Sequence, residues 1–319
     1  MQHTFAKDVE KGLSAKPKYL DSKYFYDEKG DFLFQKIMDL DEYYLTDCEL
    51  EILKNHCKHY RRFFQNGESH FSLVELGAGD GYKTKVLLEH LAENQTNFSY
   101  LPIDISNNVL NILKTKINKA LPNLRVEPYT GDYFNALNNL NKQEAGRKVL
   151  LFLGSTIGNF MYKDALTFLK ELNQQMNQED LLLIGFDLKK DPAIILNAYN
   201  DQKGITEAFN LNLLERINNE LDGNFNLGDF YHYPTYNSNN GEAQSYLISK
   251  KEQKIAIKAL DQTFHFEEGE SIFMEISKKY DTETINKLAE EAGFEVKENL
   301  FDQKRYFTNS LWKKDDLQG

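Results

Sequence analysis

Residues 73–81 read LVELGAGDG, and the helical pattern YKTKVLLEHL follows at once from Tyr82. An apolar run carrying an acid, Glu75, then Gly-x-Gly-x-Gly, then a helix is the first strand–loop–helix unit of a nucleotide-type α/β sheet. Glycine lets such a loop turn tightly and approach a ligand with no side chain between. A dinucleotide fingerprint requires Gly-x-Gly-x-x-Gly, and Tyr82 stands where its third glycine belongs. The spacing therefore disfavours a nicotinamide oxidoreductase.

Outward from this loop, strand and helix alternate over residues 71–188. The apolar runs are FSLVELGAG, FSYLPIDIS, LRVEPYTGD, KVLLFLGST and DLLLIGFDL. Between them lie stretches such as VLNILKTKINKAL from Val109 and KDALTFLKELNQQM from Lys163, apolar at three- and four-residue spacing. Such alternation predicts a parallel, doubly wound sheet, whose ligands bind beyond the carboxyl ends of the strands. The chemistry is then expected at 77–81, 104–106, 132–133 and 154–159. Further on, the strand ESIFMEISKKY precedes the helix TETINKLAEEAG, stopped by Gly293, and two strand-like runs, FEVKENLFD and RYFTNSLWK. Two regions do not fit the sheet: a helical, Tyr- and Phe-rich start, and residues 189–270 with their aromatic, Asn-rich stretch and hairpin-like strands. We read them as one discontinuous substrate-binding domain, 1–62 with 189–277, beside a sheet domain of 63–188 with 278–319.

Composition narrows the function. A net charge of −11 argues against a nucleic-acid partner, which needs a basic footprint. The start MQHTFAKDVEKGLSAKPKYL has no apolar centre, and no segment reaches the ~20 apolar residues of a membrane span. Cys48 and Cys57, nine positions apart in one predicted helix, fit neither a disulfide framework nor a zinc site. The expectation is a cytoplasmic protein acting on a small molecule, with no membrane and no obligate protein partner.

Each candidate residue has a plain alternative. Asp104 lies 23 positions after Gly81, near the ~20 expected of a ribose-binding acid, but it can also cap the next helix, as Ser106 can. Asp132 and Tyr133 in TGDYF suit an adenine amino group and ring, or an ordinary turn. Lys83 is a cofactor contact or a solvated lysine. Asn159, closing GSTIGN, offers a donor and an acceptor to a substrate or caps its own turn. Tyr24, Tyr26, Tyr43 and Tyr44 form an aromatic cluster suited to a core or to a cationic nitrogen. His232, between Tyr231 and Tyr233, is read as structural, and the histidines carry no metal spacing.

An acid just before Gly-x-Gly resembles motif I of S-adenosylmethionine (SAM) dependent methyltransferases, whose sheet closes with a late helix and a final antiparallel strand. The chain as a whole is similar to the amino-acid Nα-methyltransferases typified by L-histidine Nα-methyltransferase, which makes hercynine for ergothioneine biosynthesis. The resemblance runs nearly end to end, through KYFYDEKGDFLFQKIMDLDEYYLTDCELEIL, VELGAGDGYKT, YLPIDIS, FLGSTIGNF, GFDLKKDPAIILNAYNDQKGITEAFNLNLLERINNEL and FEEGESIFMEISKKY. It implies a Rossmann-like class I fold with a second discontinuous domain, SAM as cofactor and S-adenosyl-L-homocysteine as product.

Residue by residue, the resemblance implies that Gly77, Lys83, Asp104, Asp132 and Tyr133 hold SAM, with Glu75 and Gly79 in the same loop. It puts Asn159 and Tyr199 on the substrate carboxylate, and Tyr26, Phe34 and Gly154 around the amine. Tyr43 would lie along the side-chain pocket, with Glu275 and Ser277 at the imidazole edge. The departure is Ser245 in QSYLIS, where the family carries a bulky apolar wall. That change keeps open a second acceptor, another aromatic or modified amino acid, since fungal relatives methylate a prenylated tryptophan. A SAM-binding protein without turnover is the reading from another class, and it has no use for the substrate residues. Transfer needs a neutral amine and no metal. Tyr26 or a bound water would relay the proton, and Asn159 would orient the substrate.

Overall fold

The structure, a computed structural model, describes residues 2–67, 69–143 and 146–315. The chain begins with α1 (Gln2–Ser14), β1 (Lys18–Tyr19), α2 (Glu28–Met38) and α3 (Leu45–Gln65). It continues through β2 (Phe71–Leu76), α4 (Tyr82–Glu93), β3 (Phe98–Asp104), α5 (Asn107–Ala120), β4 (Arg125–Val126), β5 (Tyr129–Thr130) and α6 (Tyr133–Gln143). Then come β6 (Lys148–Phe152), α7 (Tyr162–Gln175), β7 (Leu181–Asp187), α8 (Pro192–Ala198) and α9 (Ile205–Leu221). Four strands follow, β8 (Phe230–Asn237), β9 (Glu242–Ser249), β10 (Gln253–Ile257) and β11 (Gln262–Phe266). The last elements are β12 (Ser271–Lys278), α10 (Thr282–Glu291), β13 (Phe294–Phe301) and β14 (Phe307–Lys314).

Contacts divide the chain into two compact units. One comprises Met1–Tyr44 and Lys190–Lys278, the other Leu45–Lys189 and Lys279–Gly319. The boundary differs from the expected one at α3. Its stripe of Leu45, Ile52, Leu53, Tyr60 and Phe64 is buried, and the helix packs on α4, β7 and β14, inside the unit that holds the large sheet. The stripe was legible in the sequence, but the surface it covers was not.

The large sheet runs β13-β14-β7-β6-β2-β3-β4, with β5 also pairing β3. Its members from β2 to β7 are parallel, while β14 lies antiparallel between β7 and β13. Every residue of β2, β6 and β7 is buried, as continuous apolar strands covered on both faces must be. Val74, Leu101, Leu150, Ile184 and Trp312 share one core with Leu137, Leu169 and Leu288 from the helices. The predicted strand over LRVEPYT is interrupted: β4 and β5 are two-residue pieces either side of Glu127 and Pro128. Proline has no N–H to give a ladder and breaks it there.

The other unit carries a four-stranded sheet, β1-β12-β9-β8, and a β10-β11 hairpin. Its core joins Phe5 and Val9 of α1 to Phe209, Leu213 and Ile217 of α9 and to Leu247, Ile272 and Phe266 of the strands. The aromatic part of the Asn-rich stretch, which the sequence pattern does not assign, is β8. It is the sheet edge, where Pro234 does not disturb a central ladder. Among the described residues no helix is long and apolar enough to cross a membrane.

The loop that decides the fold supplies a test. Gly79 and Gly81 both have positive φ, +53° and +65°. A Cβ on Gly81 would stand 2.3 Å from Leu113 Cδ1, whereas nothing lies within 4 Å of one on Gly79. Alanine at either position meets the left-handed penalty of roughly 1–2 kcal/mol. Gly81→Ala should lose about 1–3 kcal/mol more, through overpacking against α5. Urea midpoints of the two variants measure the difference, and equal losses would contradict this packing.

Candidate active site

At the carboxyl edge of the large sheet, Gly77 N–H donates to Ile103 O at 2.9 Å, which sets the loop beside the end of β3. Gly77 has φ +72°, and a Cβ there would stand 2.8 Å from the Tyr133 hydroxyl. The cradle under that ring thus exists because residue 77 has no side chain. Asp104, at the tip of β3, accepts from Gly79 N–H at 3.2 Å and Ser106 N–H at 3.0 Å. The cap of α5 is Ser106, which accepts from Val109 N–H at 3.3 Å, so capping does not account for Asp104. Asp132 is exposed and accepts from Asn135, through the backbone N–H at 3.0 Å and the side-chain amide, inside the first turn of α6. Those bonds hold its carboxyl below the usual range. Tyr133 packs on Phe152 and Phe168, and burial followed by the charge of Asp104 raises its hydroxyl to about 12. A flat, hydroxylated nucleoside fits this set: an open glycine loop, an aromatic ring and two acids with lone pairs to spare.

Glu75 differs from its expected role beside a ligand. It is buried beneath the loop, and its carboxylate accepts from the Thr84 hydroxyl at 2.5 Å and from the Tyr100 hydroxyl. Burial pushes its pKa up to about 7. The residue braces the loop from within, tying β2 to β3 and α4.

Lys83, in the first turn of α4, is ion-paired with Glu49 of α3. Its Nζ lies 3.4 Å from where a Cβ on Gly154 would stand. Gly154 follows β6 with φ +75°, and Asn159 ends the 3-10 turn Thr156–Asn159; both are exposed. Sequence reasoning missed Glu49, although an acid inside an otherwise apolar helical stripe was visible.

In the other unit the structure brings together the candidates drawn from distant segments. Ring centroids lie 5.6 Å apart for Tyr26 and Phe34, 6.3 Å for Phe34 and Tyr43, and 6.4 Å for Tyr43 and Tyr199. The Tyr199 hydroxyl donates to Ser277 Oγ at 2.8 Å. Tyr24 belongs elsewhere, packed on Phe5 and donating to Asp8 at 2.6 Å, and the Tyr44 hydroxyl accepts from Lys190 Nζ at 2.8 Å. His232 is kept neutral by burial, its pKa lowered to about 4.

The register of β12 then sets its acid. Ile272 pairs with Leu247 and Phe273 with Tyr246, but a bulge follows and Glu275 pairs with Ser245, Ser277 with Ala243. Paired residues of an antiparallel ladder share a face. The bulge therefore turns Glu275 and Ser277 onto the face of Leu247 and Ile272, the inner one. Strict alternation would have sent them to the opposite face. Glu275 ends half-buried, with Ser245 and Ser277 buried beside it.

A parallel sheet closed by an antiparallel β14, with a glycine loop after its first strand and an acid at the tip of the second, defines a class I SAM-dependent methyltransferase. Mitomycin 7-O-methyltransferase MmcR has a similar fold, with a TM-score of 0.50 and 10% identity over 98% of this chain and 68% of that one. The family profile described as "Histidine-specific methyltransferase, SAM-dependent" matches residues 5–314, and the chain belongs to that family. Histidine N-alpha-methyltransferase of Mycolicibacterium smegmatis is 34% identical over 287 residues, 90% of this chain and 88% of that protein. Ergothioneine biosynthesis protein 1 of Neurospora crassa is 33% identical over 291 residues, 88% of this chain and 31% of that longer protein.

The state of Glu75 is testable by pH. Its folded pKa of about 7 stands above an ordinary 4.5, so the folded protein holds this proton more tightly than the unfolded chain. Stability from this group is fully present below about 4.5, declines up to about 7 and is level above. Glu75→Gln stays neutral throughout, so its stability relative to the parent should rise across that window by up to about 3 kcal/mol. Urea midpoints of both proteins at about pH 5 and pH 8 check this. A difference independent of pH would contradict a buried, proton-holding Glu75.

Proposed function

We propose that this chain transfers methyl groups from SAM to the α-amino nitrogen of L-histidine, in succession, giving the trimethylated betaine hercynine. Family membership and the histidine N-alpha-methyltransferase relative support the reading. The observation that carries the choice of acceptor is Glu275, turned by the β12 bulge to the inner face beside Ser277 and Ser245. A carboxylate there accepts an imidazole N–H with charge-assisted strength.

In this reading Gly77, Gly79, Lys83, Asp104, Asp132 and Tyr133 hold SAM, and Glu75 serves it through the loop it braces. SAM supplies an electrophilic methyl, so the residues need mainly to orient and to manage one proton. Asn159 and Tyr199 hold the substrate carboxylate and fix the direction of the amine, which Tyr26, Phe34 and Gly154 flank. Tyr43 runs along the side chain. The amine must be neutral to react, and an α-amino group has a pKa of about 7.7–8.0 in peptides and a higher one in a free amino acid. The Tyr26 hydroxyl, or a water it holds, relays that proton to solvent, receiving it on the oxygen as it passes its own on. Once the nitrogen has lost its own donors, recognition rests on the carboxylate and the ring, while aromatic faces accommodate the growing cation. We place the activity in a reducing cytoplasm, which suits Cys48 and Cys57 outside any disulfide, and ask no protein partner of it.

Ser245 favours a second reading, the same chemistry on a larger aromatic amino acid, because a buried serine leaves room where the family has a bulky wall. A competition assay with histidine, tryptophan and tyrosine together separates the two. The parent should favour histidine. Glu275→Val should lose about 1.5–3 kcal/mol of recognition, roughly tenfold or more in the specificity constant for histidine, and gain relative tolerance of the other rings. An unchanged preference in the variant would remove Glu275 as the reader of the side chain.

A further inference from the structure

Glu49 is a charged residue on the buried face of a helix that has no place in the reaction just described. Its side chain is fully buried. Both carboxylate oxygens accept from the Gly154 backbone N–H, at 3.1 Å and 2.9 Å, and one also takes the Lys83 ammonium. The fold makes room for it. A Cβ on Gly185 of β7 would stand 2.3 Å from Glu49 Oε1 and 3.1 Å from the Phe307 ring, so the carboxylate sits in a notch that only glycine leaves open. One carboxylate thereby joins α3 to two segments at the sheet's carboxyl edge, the first turn after the glycine loop and the turn after β6.

A buried ion pair is weak evidence of stability, because desolvation offsets most of its Coulombic gain and an apolar pair of equal volume serves as well. The stripe on either side of Glu49 is made of such residues. What the acid adds is direction. Lys83 is a flexible, partly exposed side chain, and without a partner its ammonium would range over several rotamers. The Gly154 N–H, in a turn of left-handed conformation, would likewise lack a fixed acceptor.

We propose that Glu49 is a positioning residue for methyl transfer. It fixes the Lys83 ammonium toward the carboxylate end of SAM and, through the same group, fixes the Gly154 backbone that flanks the acceptor amine. This rests on the placement of SAM at the 77–81 loop proposed above. The carboxylate touches neither reactant and works through Lys83 and Gly154.

The test is a double-mutant cycle on binding of S-adenosyl-L-homocysteine, measured by calorimetry, alongside steady-state kinetics. Lys83→Met should weaken binding about tenfold, the loss of one charge-assisted contact. Glu49→Gln keeps an acceptor for Gly154 but frees the lysine, and should weaken binding by a similar factor. It should also raise KM for SAM more than it lowers kcat. The double variant should bind no worse than Lys83→Met alone, because the second change acts only through the first. Gly185→Ala displaces the carboxylate without altering any charge and should shift binding in the same direction, which keeps the test available if Glu49→Gln does not fold. Multiplying effects, or a Glu49→Gln variant that binds as the parent does while Lys83→Met binds weakly, would overturn the positioning role and leave the cofactor placement standing. Undiminished binding by Lys83→Met would overturn the placement itself, and the proposal with it.

Discussion

The carboxylate of Glu75, held by the hydroxyls of Thr84 and Tyr100, is the constraint on which the glycine loop of the large sheet depends. It joins the first parallel strand, its neighbour and the helix that leaves the loop at one point under the glycines. The loop above has backbone angles that fluctuate unless something fixes their ends. Placing the acid beneath it, out of water, gives fixed hydrogen bonds at the expense of an awkward ionisation, which its raised pKa records. With the loop set, Asp104 meets Gly79, Tyr133 covers Gly77 and the first turn of α4 carries Lys83 to Glu49. Two buried acids thus order the carboxyl edge of the sheet, one below the glycine loop and one beside it.

The other unit solves a different problem. There a carboxylate, Glu275, reaches the inner face that also carries Leu247 and Ile272. A regular β12 cannot supply both Ile272 to the core and Glu275 to the same face, three residues apart. The bulge reconciles them by spending one residue, Met274, which is itself buried in the core. Tyr199, at the end of α8, joins the rings of Tyr26, Phe34 and Tyr43 from the start of the chain, and α2 also packs on α9 in that unit.

What the sequence revealed, and what it withheld, follows from range. The loop was legible because three alternate glycines after an apolar run leave few other conformations, and the two strands after α10 because their apolar pattern is local. The apolar residues on either side of Pro128 mask the break it makes between β4 and β5. The allegiance of α3 was hidden, since a helical stripe states that a face is buried and not what buries it. The face of Glu275 was beyond a period-two pattern, because bulges are set by pairing with β9. Ser106 and Asp104 were equal candidates for the cap of α5 on sequence, and only the hydrogen bonds separate them. Glu49 carried a signal, an acid in an apolar stripe, whose meaning needed Gly154 and Lys83 in place.

The central claim is that methyl groups are added to the α-nitrogen of histidine. Tandem mass spectrometry of the product formed from histidine and isotopically labelled SAM locates each methyl group. The account predicts successive labels on the α-nitrogen, ending in the trimethylated betaine, with the imidazole untouched. Label on an imidazole nitrogen, or no label on histidine while another amino acid in the same mixture is modified, would contradict it.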